Sequence, residues 1–175
     1  LPVSRRGEVL PALLEGLESV AVAGTHGKTT TATLIAQLLR GAGHDPWWCI
    51  GGESHVLGGV AGAGEESTIV VEADESDGSF VKLHPTIAVV TNIDAEHMDH
   101  YGSFEALRAA FVDFVKNVPF YGFVVLCIDD PEVQALIPEV SDRKIVTYGR
   151  NPQADVRITR FEPADGGSNF DIAVA

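Results

Sequence analysis

A short run of glycine, threonine and lysine has the composition and spacing of a phosphate-binding loop. The segment VAVAGTHGKTTT covers residues 20–31 and passes through two glycines into Lys28 and Thr29. In such a loop, backbone N–H groups at a helix start face the anion, the lysine neutralises the terminal phosphates, and the next hydroxyl ligates Mg²⁺. Val22 stands where the general pattern G-x-x-x-x-G-K-[ST] has its first glycine. We predict nucleotide binding here, and a glycine turn that only caps a helix is the alternative.

An acidic segment further along the chain can complete a metal site. In STIVVEADESD an apolar run ends at Glu72. Open α/β sheets bind their ligands at the carboxyl ends of the strands, and carboxylate oxygen is a preferred ligand of Mg²⁺. Glu72 is therefore a predicted Mg²⁺ ligand. Asp74, Glu75 and Asp77 follow it, and a solvated acidic loop explains them about as well as a direct role does.

A third segment, TNIDAEHMDH, also follows an apolar run and is crowded with polar side chains. An imidazole close to the metal of a phosphate loop can ligate a second divalent ion. A surface loop whose two histidines are simply hydrogen-bonded is the alternative, and the residue chemistry leaves both open. The polar residues of this segment are Asn92, Asp94, Glu96, His97, Asp99 and His100.

The elements that must position these residues are visible as apolar runs that alternate with helical stretches. Several runs are too uniformly apolar to have a solvated face, which predicts a sheet buried on both sides. Leu34, Ile35, Leu38 and Leu39 repeat at helical spacing after the glycine loop, and Ser103 is a candidate N-cap of a later helix. The predicted strands cover residues 19–24, 47–52, 67–73, 86–92, 122–128 and 143–149.

This alternation predicts a single α/β domain with a mostly parallel sheet between helices. The end of the chain differs, because residues 154–163 and 169–175 flank the turn signal Asp165-Gly166-Gly167. That pattern predicts an antiparallel hairpin.

The formal charge of −13 argues against a nucleic-acid partner, and no apolar run is long enough to span a bilayer. Because the chain begins at Leu1 rather than Met, the sequence leaves open whether a signal peptide precedes it.

Taken together, GTHGKTTT, VVEADESDGSF, TNIDAEHMDHYGSFEALRAAF and NVPFYGFVVLCIDDPEV resemble the central ATPase domain of the Mur ligases. That family has the loop G-T-x-G-K-[ST], so Val22 is expected in it. His26 resembles the alanine-adding and muropeptide-recycling members, whereas most other members carry Asn there. Phe111 stands where the members that add glutamate or the dibasic amino acid carry a carbamylated lysine. The segments HMDHY and NVPFYG look more like the alanine-adding members.

The resemblance implies a P-loop NTPase-like three-layer fold, with residues 1–175 as the central ATP-binding domain between a UDP-binding and a C-terminal domain. It implies a bacterial, cytoplasmic, ATP-dependent ligase that joins L-alanine to UDP-N-acetylmuramate through an acyl phosphate. A muropeptide-recycling ligase, a phosphate-loop NTPase switch and a simple nucleotide-binding module are the alternatives.

The resemblance also assigns roles to individual residues. It places Lys28 on the transferred phosphoryl group, a first Mg²⁺ on Thr29 and Glu72, and a second Mg²⁺ on His97. It makes Asn92 a neighbour of the phosphates. The implied phosphate-binding residues are Gly24, Thr25, His26, Gly27, Lys28, Thr29 and Thr30.

Overall fold

The computed structural model describes residues 6–175, apart from the Arg6 side chain. Over this range one sheet contains nine strands in the order β3-β2-β4-β1-β5-β6-β7-β8-β9. The strands are β1 (Glu18–Ala23), β2 (Trp47–Ser54), β3 (Gly59–Gly62), β4 (Thr68–Glu72), β5 (Ile87–Val90), β6 (Phe123–Cys127), β7 (Ile145–Gly149), β8 (Val156–Ala164) and β9 (Gly167–Val174). The helices are α1 (Arg6–Leu14), α2 (Lys28–Gly41), α3 (Met98–Tyr101), α4 (Phe104–Lys116) and α5 (Pro131–Leu136), with 3-10 turns at Ser79–Lys82 and Ile137–Val140.

The sheet is mostly parallel, as the sequence predicts. Every pairing from β2 through β4, β1, β5, β6 and β7 to β8 is parallel, and only the outermost pairs β2–β3 and β8–β9 are antiparallel. The predicted C-terminal hairpin is confirmed as β8 and β9. Its turn contains Gly166 at φ 75°.

Both faces of the sheet are covered, because side chains that alternate along β1 enter two separate cores. Ala21 and Ala23 pack in a core with residues of α1, α4 and α5. Val22 packs on the opposite face with Ala32 and Ala36 of α2. The predicted three-layer α/β arrangement is therefore confirmed, and Val22 is part of a buried strand rather than of the loop.

Helix α4 begins at the predicted N-cap. Ser103 caps it, since the Ser103 hydroxyl accepts a hydrogen bond from the Ala106 N–H at 3.2 Å. Phe111 and Phe114 are fully buried and both pack near the Phe80 ring, with ring centroids 5.1 and 5.3 Å away. Phe111 is thus a core residue. None of the helices in residues 6–175 is long and apolar enough to cross a membrane.

Helix α1 and strand β3 are among the elements that the sequence did not predict. Helix α1 contains Pro11, which disfavours a helix interior, and β3 is a four-residue edge strand with a glycine at each end. Strand β2 also continues to Ser54, two residues beyond its predicted end, where it pairs with β3. The sequences of these segments favour helix or strand only weakly, so contacts with neighbouring elements stabilise them.

Candidate phosphate and metal site

The three segments singled out in the sequence meet at one edge of the sheet. Strands β1, β4 and β5 are neighbours in the centre, and their ends are level: Val22 pairs with Glu72, and Ala23 pairs with Val90. The glycine loop leaves the end of β1, Glu72 ends β4, and the segment that begins at Asn92 follows β5. Parallel strands bring their carboxyl ends together, and this edge is where open α/β folds bind ligands.

The loop has the backbone shape that phosphate binding requires. Gly27 has φ 80° and immediately precedes Lys28, the first residue of α2, so the N–H groups of the first helical turn face the cleft. Gly24 has φ 132°, and a side chain there would overlap the Thr91 hydroxyl. The cleft is lined by Thr25, His26, Gly27, Lys28, Thr29, Thr30 and Glu72.

The residues that follow β5 hold the loop by its backbone. The Asn92 side-chain oxygen accepts from the His26 N–H at 2.8 Å, and the Asn92 amide donates to the His26 carbonyl at 3.0 Å. The Thr91 hydroxyl donates to the same carbonyl at 2.8 Å. Asn92 therefore fixes the loop in place, and its predicted contact with the phosphates stays a prediction. The His26 Nε2 atom lies 3.1 Å from an Asp94 carboxylate oxygen.

Lys28 folds back over the loop and is only 13% exposed. Its ammonium donates to the carbonyls of Gly24 at 2.7 Å and Thr25 at 3.2 Å. It also lies 3.0 and 2.9 Å from the two carboxylate oxygens of Glu75. The lysine is thus held at the base of the phosphate cleft by contacts that include a full opposite charge.

Thr29 and Glu72 form the centre of the predicted first metal site. The Thr29 hydroxyl donates to Glu72 Oε2 at 2.8 Å, and the Gly51 N–H donates to the same oxygen at 2.6 Å. The Glu72 carboxylate is buried at the floor of the cleft. A hydroxyl and a carboxylate side by side next to a phosphate loop are an all-oxygen donor set that suits Mg²⁺.

No group of three or more His, Cys, Asp or Glu side chains within residues 6–175 is arranged to hold a metal ion. Mg²⁺ is usually held by one or two carboxylates together with water and substrate phosphates, and Thr29 with Glu72 fits a site of that kind.

His97 lies beside this site in an unusual backbone conformation. It has φ 56°, the only positive φ of a non-glycine residue within the described part of the chain, and it immediately precedes α3. The left-handed conformation is strained for such a residue and indicates that the surroundings fix its position. The His97 Nε2 atom lies 3.7 Å from Glu75 Oε1. Its predicted contact with a second metal ion remains a prediction.

Glu75 is the site residue that the sequence did not separate from its neighbours. It is 1% exposed, and burial raises the pKa of its carboxyl, while the hydrogen bond and the charge of Lys28 oppose that rise. Asp74 and Asp77 occur in the same acidic run without comparable burial. No local pattern distinguishes the three carboxylates, because the burial of Glu75 arises from the packing of distant segments.

Comparison with known proteins identifies a matching family and similar sequences. The sequence profile of the Mur ligase middle domain matches residues 22–174. A UDP-N-acetylmuramate–L-alanine ligase from Rhizorhabdus wittichii is 56% identical over 174 residues, which make up 99% of this chain and 37% of that protein. The chain thus spans little more than a third of the length of this curated relative.

Solved structures of ligases have the same fold. The UDP-N-acetylmuramate:L-alanyl-gamma-D-glutamyl-meso-diaminopimelate ligase from Neisseria meningitides matches with a TM-score of 0.82 at 27% identity, over 96% of this chain and 56% of that one. The UDP-N-acetylmuramate-alanine ligase from Thermotoga maritima matches with a TM-score of 0.78 at 25% identity, over 95% of this chain and 36% of that one.

Proposed function

This chain belongs to the Mur ligase family, and from that premise we propose that it is the central ATP-binding domain of a UDP-N-acetylmuramate–L-alanine ligase. The observation that carries the proposal is the 56% identity over 99% of the chain to a protein of that name. The proposed enzyme activates the muramoyl carboxylate with ATP and joins it to L-alanine, in the synthesis of a peptidoglycan precursor. We place that reaction in the bacterial cytoplasm.

The muropeptide-recycling ligase is the second candidate, and one observation favours it. The solved structure of such an enzyme has the higher of the two TM-scores, 0.82 against 0.78. We give more weight to sequence identity, because members of one family share a fold whatever their amine substrate. Curated relatives named as alanine ligases reach 54–58% identity over 99–100% of the chain, whereas the two solved structures, at 27% and 25% identity, do not separate the two activities.

The proposed chemistry has two steps. The carboxylate oxygen of UDP-N-acetylmuramate attacks the γ-phosphorus of ATP, the bond to the β-phosphate oxygen breaks, and ADP leaves. The amine of L-alanine then attacks the carbonyl carbon of the acyl phosphate, phosphate leaves with the C–O bond pair, and the nitrogen loses a proton. Activation is necessary because a free carboxylate would have to expel an oxide ion.

The residues at the carboxyl edge of the sheet would control charge in the first step. ATP and a carboxylate repel each other, and Lys28 supplies a positive charge at the base of the cleft to offset charge on the transferred group. The N–H groups at the start of α2 would face the phosphates of bound ATP. Asn92 keeps the loop in this shape through both backbone groups of His26.

We propose that Thr29 and Glu72 hold a first Mg²⁺ and that His97 contributes to a second. The Thr29 hydroxyl and the Glu72 carboxylate already lie 2.8 Å apart at the floor of the cleft. Bound Mg²⁺ supplies charge neutralisation and alignment of the phosphates. Binding of UDP-N-acetylmuramate and of the amino acid is proposed to fall to the other domains of the ligase, so residues 1–175 alone are expected not to form the amide.

The proposal is tested by the substrate dependence of phosphate release in the full-length ligase that carries this domain. With ATP and Mg²⁺, UDP-N-acetylmuramate and L-alanine should together release phosphate and form an amide. Replacing L-alanine with the recycled tripeptide should give much less. Preference for the tripeptide would favour the recycling enzyme, and equal phosphate release without any carboxylate substrate would favour an NTPase switch.

Gly51 offers a test of the first metal site that leaves its ligands unchanged. A side chain at Gly51 would overlap the Glu72 carboxylate, whereas one at Gly52 meets only the Thr29 methyl at 3.4 Å. Gly51→Ala should therefore push Glu72 off its position, raise the Mg²⁺ concentration needed for half-maximal ligation, and lower kcat by about tenfold. Gly52→Ala is the matched control. Equal Mg²⁺ titrations for the two variants would contradict the assignment of Glu72.

A further inference from the structure

Glu75 is a buried charged residue that the reaction described above leaves without a role. It is the most buried acidic side chain in residues 6–175, at 1% exposure. Burying a carboxylate is costly unless a partner compensates for its charge. A charge kept at such a position in the site therefore calls for an explanation.

The contacts of Glu75 join two residues of the site that come from distant parts of the chain. One carboxylate oxygen lies 3.0 Å from the Lys28 ammonium and 3.7 Å from His97 Nε2, and the other lies 2.9 Å from the same ammonium. Lys28 opens α2 and His97 precedes α3. The carboxylate thus bridges the cation of the phosphate loop and the imidazole beside it.

The backbone of Glu75 is itself firmly held. The Tyr101 hydroxyl donates to the Glu75 carbonyl at 2.6 Å, and the Gly78 N–H donates to that carbonyl at 3.0 Å. Tyr101 is the last residue of α3, so that short helix is tied to Glu75 near both of its ends. Because its backbone is anchored in this way, the Glu75 carboxylate can hold the side chains of Lys28 and His97 in place.

We propose that Glu75 is a positioning residue that holds Lys28 and His97 at a fixed separation on the phosphate side of the cleft. Its burial keeps it from touching substrate, so it acts through those two side chains. The role in catalysis rests on the proposed ligase function, whereas the hold on Lys28 does not depend on it.

The first test uses the protein without nucleotide and measures acetylation of each lysine by acetic anhydride, followed by mass spectrometry. In Glu75→Gln the ammonium loses its charge partner, and acetylation of Lys28 should rise about tenfold. Lys82, Lys116 and Lys144 serve as internal references and should not change. Glu65→Gln is the matched control, because Glu65 is an exposed glutamate just before β4, at the opposite edge of the sheet.

The second test measures ligation by the full-length enzyme. Glu75→Gln should lower kcat by about ten- to a hundredfold through misplacement of Lys28 and His97, with the KM for L-alanine unchanged. Glu75→Asp keeps the charge and should recover part of the loss in kcat and most of the protection of Lys28.

Three results would overturn the inference. Unchanged acetylation of Lys28 in Glu75→Gln would show that Glu75 does not hold Lys28. A uniform rise at all lysines would show that Glu75 stabilises the fold in general. A raised Mg²⁺ requirement with Lys28 still protected would make Glu75 a metal ligand instead. If the unchanged enzyme fails to ligate L-alanine, the proposed function fails, while the acetylation result still decides whether Glu75 holds Lys28.

Discussion

Lys28→Met is expected to lower kcat for ligation about a thousandfold in the full-length ligase, the largest effect of any single change in this domain. Methionine retains an unbranched apolar chain like the methylene stem of lysine but removes the ammonium. That ammonium donates to the Gly24 and Thr25 carbonyls and lies between them and the Glu75 carboxylate. Without it, no cation of this loop offsets the charge on the phosphoryl group as it moves to the carboxylate.

The measurement is the rate of ADP formation that depends on UDP-N-acetylmuramate, at saturating ATP and Mg²⁺. Lys116→Met is the matched control, because Lys116 is an exposed lysine at the end of α4 and should retain full activity. A thermal unfolding curve for each variant separates a lost fold from lost chemistry. Activity of Lys28→Met close to that of the Lys116 variant would contradict the assigned role.

The position of the site was predictable from the sequence because it depends on local patterns. An apolar strand that ends at Ala23 and continues through Gly24 and Gly27 into Lys28 specifies a strand, a turn and a helix within about ten residues. Glu72 and Asn92 likewise stand at or just after the ends of apolar runs. Parallel pairing then brings the ends of β1, β4 and β5 to one edge, which the predicted α/β class already required.

What the sequence left open depends on contacts between distant segments. Glu75 lies 47 residues from Lys28 in the chain, and only the folded structure distinguishes it from Asp74 and Asp77. The burial of Val22 also depends on contacts between segments that are separate in the chain. Its side chain packs against α2 on one face of β1, which explains why that position in the loop pattern carries an apolar residue here.

Glu72→Gln is expected to lower kcat by about a hundredfold and to raise the Mg²⁺ concentration required for half-maximal activity. The substitution keeps the shape of the side chain and removes its charge. In the present arrangement Glu72 Oε2 accepts from both the Thr29 hydroxyl and the Gly51 N–H. The glutamine oxygen can still accept from these two donors, but the amide nitrogen that replaces the other carboxylate oxygen cannot ligate a cation.

The measurement is ligation rate against Mg²⁺ concentration, for the unchanged enzyme, Glu72→Gln, His97→Ala and the exposed-residue control Glu65→Gln. The Glu72 variant should need more Mg²⁺ and should remain slower even when Mg²⁺ is saturating, because a neutral ligand leaves the ion poorly held and the phosphates misaligned. His97→Ala should show a smaller shift, since its imidazole is 36% exposed and lies 3.7 Å from the buried Glu75 carboxylate. If neither variant changed the Mg²⁺ dependence, the metal assignments of both residues would fail, and the bond between Thr29 and Glu72 would be a structural feature of the loop alone.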